Sequence, residues 1–493
     1  MYEKLLLNLA ILAGKISFIV LKVTGRQGTA MPGKVAIKIF PGILKELTKR
    51  CNKTVVITGT NGKTTTNNLT NHIIGGKYDN LVSNLKGANM IQGVVTSFIV
   101  NNKNSYDWGI FEVDEGSIPD VIHFFSPDYV ILTNFFRDQL DRYGEVENTI
   151  HLVYDTLKGV NSTLILNADD PSTTQFNKLP NEKIYYGFNK NQFSKIDHSV
   201  AESIFCKNCG NRLSYNFISY GNVGDYYCDS CGVERPKINY AAESIDIKDN
   251  SYEFLLKINN SESINESINE SVNESVNESI NESISGSISE NIAENKFVFK
   301  YMGIYNIYNC LAAISLCLTE NFDISFVQNQ VENFDYKLGR METISFPNKD
   351  VVLVLSKNPV GLSEVFNSFS HDEEPKSIMF LINDTPADGK DISWIWDADF
   401  EQINNIKNIN YFYCSGTRAN EAALRLKYSN FNTDKIKKHV SKEVSDIKTP
   451  IKEVLDENIK SYIIGTFTAV PEVRKFLLKE KSKYNSVNNI KSD

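Results

Sequence analysis

Histidine and tryptophan are scarce in this chain of 493 residues, at six and three, and no histidine stands in a motif that would pair it with a nucleophile. A self-contained Cys, His and acid hydrolase is thereby set aside. Basic charge is not in excess: 52 Lys and Arg against 60 Asp and Glu leave −8, so no bulk positive field favours nonspecific nucleic-acid binding. The apolar stretch from Leu5 to Val23 lacks a clear small-residue cleavage site and is interrupted by Asn8, Lys15 and Lys22. We read it as an amphipathic helix packed on the first domain, with a membrane-surface helix as the alternative, and expect a cytoplasmic protein that could work at the inner face of the membrane. Cysteine is uneven. Cys51, Cys310, Cys317 and Cys414 are scattered, and Cys414, with no sequence partner, reads as a buried thiol; the other four cluster, which argues for metal over disulfides.

A hydrophobic content of 41% suits a packed globular protein, and the length allows roughly three domains. Residues 54–59 (TVVITG) read as a buried strand running through a turn into a helix from Lys63. Further strands are expected at Trp108 to Val113, Tyr129 to Thr133 and Ser162 to Leu166, with helix-length spacers, which predicts a parallel α/β sheet. A second α/β pattern has strands at Val351 to Leu355, Ser377 to Ile382, Tyr411 to Cys414 and Ser461 to Ile464. The division expected is an N-terminal helical segment over 1–50, a nucleotide-binding domain over 51–342 and a C-terminal α/β domain over 343–493. Two insertions interrupt the middle domain: a cysteine ribbon over 203–237 and, over 259–293, a repeat of (I/V)NES without aromatics, read as a solvated loop.

The strongest chemical signal is Thr58-Gly59-Thr60-Asn61-Gly62-Lys63-Thr64-Thr65 between strand and helix. Its glycines would let backbone amides approach phosphate at a helix N-terminus, Lys63 would neutralise the β and γ oxygens, and the Thr64 hydroxyl would ligate Mg²⁺. The spacing departs from GxxxxGK[ST], because Ile57 stands where the first glycine would be. Two acidic groups could complete the metal site: Glu112, Asp114 and Glu115 at a strand end, with Glu112 favoured, and Asp138 with Asp141. Asn167, Asp169 and Asp170 follow another strand, and Asn306 and Asn309 open a helix; their amides and carboxylates would suit a base or ribose. Cys206 and Cys209, then Cys228 and Cys231, form two CxxC pairs separated by 18 residues, each followed by glycine. Four thiolates close a zinc tetrahedron and leave no place for water, so the zinc is expected to be structural. The ribbon is only modestly basic, with Lys207, Arg212, Arg235 and Lys237 offset by Asp225, Asp229 and Glu234, which speaks against RNA. In the last domain, residues 383–397 put four aspartates beside two tryptophans.

The run TGTNGKTTT, followed in order by EVDEG, TNFFRDQLDRYGE, NADDP, GIYNIYNCLAA and LGRMET, resembles the central ATPase domain of Mur ligases. The ribbon, KGANM, SKNPVGLSEV, ADGKDISWIWD and SGTRANEAALRLKY resemble more narrowly the MurT family, ATP-dependent synthetase subunits that work with a GatD-type glutamine amidotransferase. The resemblance implies phosphorylation of the D-glutamate α-carboxylate of lipid II by ATP and its amidation with ammonia from that partner, giving D-isoglutamine. It gives Lys63 the phosphates, Thr64 and Glu112 the Mg²⁺, Arg340 the γ-phosphate, and Asn306 and Asn309 the nucleotide. It also implies an aspartate lent to the partner's Cys and His, with Asp388 favoured and Asp384 next. Asp138-Gln139-Leu140-Asp141 lacks the histidine of the usual DHLD-like motif, which puts a second Mg²⁺ in doubt, and Lys158 is the one candidate for the modified lysine of some members. Alternatives are an amino-acid-adding ligase of the Mur or folylpolyglutamate type and a pseudomurein-precursor ligase.

Overall fold

The computed structural model describes residues 2–24, 28–85, 88–136, 146–194, 205–248, 251–259, 295–335, 340–370, 372–443 and 446–490, apart from the side chains of 340 and 485–490. Asp138, Gln139, Leu140 and Asp141, and the repeat beyond Asn259, lie outside the described residues. The chain divides into two units, residues 1–135 with 147–334 and residues 136–146 with 335–493.

The first unit is built on β1 (Cys51–Thr58), β2 (Leu81–Ser83), β3 (Tyr106–Glu112), β4 (Tyr129–Leu132), β5 (Thr163–Asn167), β6 (Lys183–Phe188), β9 (Tyr240–Lys248), β10 (Ser251–Ile258) and β11 (Lys296–Phe299). A separate hairpin, β7 (Ser214–Tyr220) and β8 (Val223–Tyr227), belongs to the ribbon. The sheet order is β11-β10-β9-β6-β5-β4-β1-β3-β2, parallel from β2 to β9 and antiparallel at its β10 and β11 edge. The parallel core is apolar on both faces, as in β1 where Val55, Val56 and Ile57 are fully buried, because helices cover both sides. The order reverses at β1, between β3 and β4, and in such sheets the crevice outside the strand C-termini at the reversal is where ligands collect. The N-terminal segment does not stand apart: its helices Tyr2–Val23 and Met31–Ile39 pack in this unit, against each other and against the helix Ile91–Asn101.

The second unit has a six-stranded sheet with order β12-β13-β17-β14-β15-β16, from β12 (Arg340–Phe346), β13 (Lys349–Leu355), β14 (Lys376–Leu381), β15 (Ile409–Gly416), β16 (Ile436–Val440) and β17 (Lys460–Gly465). All its pairings are parallel except β12 with β13. One core cluster gathers Phe366, Phe380 and Phe412, and another Leu353, Ile463 and Leu477. The second unit takes up the chain again at residue 335, and Arg340 pairs with Val354 as the first residue of the edge strand β12.

Candidate active site

β1 delivers the chain to Gly59-Thr60-Asn61-Gly62, which turns into the helix Lys63–Gly75. The turn needs glycine twice: φ is 119° at Gly59 and 89° at Gly62, and a Cβ on Gly62 would sit 1.9 Å from Asn309 Oδ1. The segment after β4 holds the loop from outside. Thr60 N–H donates to Asn134 O (2.8 Å), Asn61 N–H donates to Asn134 Oδ1 (2.9 Å), and the Thr133 hydroxyl donates to Asn61 O (2.7 Å). The amides of Thr60 and Asn61 are therefore both bonded to Asn134. The first intrahelical bond runs from Thr66 N–H to Gly62 O (2.9 Å), and it is the amides ahead of such a bond that ordinarily meet an anion at a helix start.

Lys63 is buried at the head of that helix. Its Nζ donates to Gly59 O (2.6 Å) and to Glu115 Oε2 (2.8 Å), with Asp114 Oδ1 at 3.8 Å. Burial alone would push the amine down, but the carboxylates of Glu115, Asp114 and Glu112 outweigh it and hold Lys63 above the ordinary lysine value, firmly cationic. Asp114 and Glu115, candidate metal ligands in the sequence, are thus this lysine's counterions. Thr64 donates through its hydroxyl to Glu112 Oε1 (3.0 Å), so the two side chains expected to share Mg²⁺ are already in contact. The β1 to β3 register, with Ile57 opposite Glu112, brings loop and carboxylate together at the C-terminal ends of the two strands. Asn84, which sequence reasoning missed, locks that carboxylate's backbone: its Oδ1 accepts from Glu112 N–H (2.9 Å) and its Nδ2 donates to Glu112 O (2.7 Å).

Asn306 and Asn309 are buried on the helix Ile304–Thr319. Asn309 lies against Gly62 and donates to Asn306 Oδ1 (3.2 Å), while Asn306 donates to Met302 O (2.7 Å), so the pair buttresses the loop. The acids after β5 correct the sequence reading. Asn167, Asp169 and Asp170 have no exposed surface to offer a base or ribose. Asp170 accepts from Phe135 N–H (2.8 Å) and Ser172 N–H (2.9 Å). Asp169 accepts from Phe188 N–H (2.8 Å), the Tyr308 hydroxyl (2.6 Å) and Arg235 Nη1 (3.0 Å). Burial raises both carboxyls to about 6, even against the pull of Arg235 on Asp169. Lys158 is exposed and paired with Asp155 (2.7 Å), an ordinary surface arrangement.

Arg235 ties the ribbon to the sheet, for it also pairs with Asp225 (3.1 Å) and donates to Phe188 O (2.8 Å). Lys207 pairs with Glu147 on the helix Val146–Leu157. The ribbon's two CxxC turns are built alike: Gly210 N–H donates to Cys206 O (2.8 Å) and Gly232 N–H to Cys228 O (3.0 Å), both glycines having positive φ. All four sulfurs lie within 4.8 Å of one another. Thiolates about 2.3 Å from a common zinc would stand about 3.8 Å apart, so this donor set fits a zinc ion. The hard oxygens of Thr64 and Glu112, beside a glycine cradle and a buried cation, likewise fit Mg²⁺ with a nucleotide phosphate.

In the second unit, Asp388 is buried and bonded to Thr385 Oγ1 (2.7 Å), Thr468 N–H (2.7 Å) and the Thr468 hydroxyl. Asp384 keeps 28% of its side chain exposed and takes a two-pronged grip from Arg418, Nε at 2.8 Å and Nη2 at 2.7 Å. Against the cost of partial burial, Thr417 and Arg418 hold that carboxyl below its ordinary value. Cys414 is fully buried, and burial pushes its thiol up, which makes it inert.

Residues 57–223 match the Mur ligase middle domain and residues 355–470 the MurT ligase C-terminal domain. Subunit MurT of the glutamine-hydrolysing lipid II isoglutaminyl synthase of Streptococcus pneumoniae R6 is 32% identical over 478 residues, 95% of this chain and 96% of that protein. The chain belongs to the MurT family. The MurT subunit of Staphylococcus aureus COL is also 32% identical, over 85% of this chain and 86% of its own. Among solved structures, a pseudomurein peptide ligase type C from Methanothermus fervidus superposes with a TM-score of 0.62 at 21% identity, covering 88% of this chain and 80% of its own. MurF from Thermotoga maritima in complex with ADP superposes at 0.58 and 11% identity, covering 91% and 84%. Those two likenesses bear on the fold alone. This MurT-family chain is an ATP-dependent ligase with the Mur ligase fold.

Proposed function

We propose that this chain is the synthetase subunit of a lipid II isoglutaminyl synthase: it activates the D-glutamate α-carboxylate of the stem peptide as an acyl phosphate and amidates it with ammonia from a GatD-like glutaminase. The observation that carries the reading is the likeness to the pneumococcal MurT subunit along 95% of the chain, through both units. The chemistry is consistent with it. A carboxylate is a poor electrophile until its oxygen becomes part of a leaving group, and transfer of the γ-phosphoryl of ATP supplies one, releasing ADP; ammonia then attacks the carbonyl carbon and phosphate leaves. Lys63, kept cationic by Glu115 and Asp114, would exchange part of that pairing for the phosphates, with the helix-start amides as further donors. Mg²⁺, held by Thr64 and Glu112 when bound, supplies charge neutralisation at the transferring oxygens. Arg340 is carried as a γ-phosphate ligand by the family pattern.

The partner's glutaminase site would take an aspartate from this chain to orient its histidine. Asp388 is the first candidate and Asp384 the second; Asp388 would have to exchange a threonine bond for the histidine, and Asp384 a guanidinium bond. In the same unit, Trp396 and Tyr428 are exposed and meet edge to face at 5.6 Å, an apolar anchor of the sort interfaces favour. Because the acceptor would be lipid-linked, we place the reaction at the inner face of the membrane.

The test is glutamine-dependent ATP hydrolysis and amide formation by the chain with its candidate glutaminase. Amide formation that needs both subunits and disappears in Lys63→Ala supports the reading. Full activity with an added amino acid and no partner would replace it with an amino-acid-adding ligase. Asp388→Asn and Asp384→Asn, assayed for glutaminase activity alone, decide which acid is lent.

A further inference from the structure

The helix Tyr2–Val23 carries two opposed faces. One is closed against the protein through Ala10, Ile11 and Gly14. The packing there is tight enough that a Cβ on Gly14 would stand 2.7 Å from Ile99 Cδ1 and 3.1 Å from Pro32 O. The opposite face exposes Leu5, Leu9, Leu12, Ile16, Ile19 and Val23, each between 48% and 83% accessible. Their spacing of four and three residues in alternation makes one continuous stripe along the whole helix. By length and composition, with a mean hydropathy of 1.9, the helix could cross a membrane, but its docked face is already occupied by the domain.

Charge is segregated in the same segment of the chain. Residues 1–50 contain nine Lys and Arg against two Asp and Glu, a net of +7 in a chain of −8, so the other residues total −15. Lys4, Lys15 and Lys22 are eleven and seven residues apart, which puts all three on one flank of the apolar stripe. Lys34 and Lys38 are exposed on the neighbouring helix Met31–Ile39, together with Met31 and Ile39. An apolar stripe edged by lysines on an otherwise acidic protein is complementary to an anionic bilayer surface and not to a second copy of the same basic segment.

We propose that this face docks flat on an anionic lipid surface, the apolar stripe entering the headgroup boundary and the lysines meeting lipid phosphates. Docking would also set the active site relative to the bilayer. A cavity of about 510 Å³ is lined by Phe18 and Lys22 of the helix and by Asn84, the residue that clamps the Glu112 backbone. The membrane-facing helix therefore borders the metal-carboxylate end of β3. The inference deepens the reading of a lipid-linked acceptor, but the docking itself rests on the helix and its charges alone.

The test is co-flotation of the full chain with vesicles of phosphatidylcholine, with or without phosphatidylglycerol. Binding is expected to the anionic vesicles, to weaken at high salt, and to fall about fivefold for each lysine removed in Lys4→Gln and Lys15→Gln. Leu12→Glu with Ile16→Glu should abolish it while leaving ATP hydrolysis with a soluble acceptor unchanged, so failure of docking and failure of the proposed reaction are read separately. Equal binding to neutral vesicles or none to either overturns the proposal. So does a dimer in sedimentation that Ile16→Glu dissociates without altering flotation, because the stripe would then be covered by a second copy.

Discussion

Two acidic clusters follow parallel strands of one sheet: Glu112 to Glu115 after β3, and Asp169 with Asp170 after β5. Both are largely buried, and in the sequence both look like ligand sites. The difference lies in what meets them. The first cluster faces Lys63 and the Thr64 hydroxyl, groups that can exchange a carboxylate for a phosphate or a metal. The second is closed by backbone amides, a tyrosine and Arg235, and joins the ribbon to the sheet. Burial of an acid thus says little about its role; the mobility of its partner says more.

That contrast can be broken most forcefully at Lys63. Lys63→Ala should lower amide formation about a thousandfold, a loss of about 4 kcal/mol in the transition state, with a thermal melt confirming a folded chain. At the other cluster, Asp169→Asn should cost about 3 kcal/mol of stability in a denaturant titration, because Arg235 loses its fully buried counterion and keeps only the partly exposed Asp225. The turnover of the remaining folded protein should be unchanged, and an activity loss equal to that of Lys63→Ala would erase the distinction. Glu112→Gln is expected to reduce amide formation about a hundredfold and to weaken its dependence on Mg²⁺, with stability nearly unaltered.

A smaller effect is in the pH dependence. Folded Asp169 and Asp170 release their protons near 6, against 3.8 for an unperturbed carboxyl, so the fold binds more protons than the unfolded chain between about pH 4 and 6. Their contribution is therefore greatest in acid and declines as pH rises through that window. Stability measured across it should fall less steeply in Asp170→Asn than in the wild type; identical slopes would mean that burial does not govern these acids.

The strand-loop-helix unit around Lys63 was legible because its parts are contiguous: strand, glycines, lysine and helix all lie within Cys51 to Gly75. The cysteine ribbon was legible for the same reason, its spacing being set by local turns. What sequence could not supply were partners from far along the chain. Asn134 ties the loop from 73 residues away, and Asn84 clamps Glu112 from 28. Asp169 looked like a ribose ligand because Arg235, 66 residues on, gives no local sign of pairing with it. The buried strands β1, β3, β4 and β5 announced themselves as apolar runs. The strands β9 and β10, next to the antiparallel edge, did not, since β10 buries only alternate residues and β9 is continuously buried only over Tyr240 to Ala242. Arg340 was assigned to the first domain because its motif belongs to the family's ATPase pattern, although its backbone starts the second sheet.

The account depends on transfer of phosphate to an acceptor carboxylate at the loop headed by Lys63. The direct measurement is to label that carboxylate with ¹⁸O and follow the label during glutamine-dependent turnover. One labelled oxygen per amide formed should appear in the released phosphate. Amide formation with unlabelled phosphate would contradict the acyl phosphate and with it the assignment of this site.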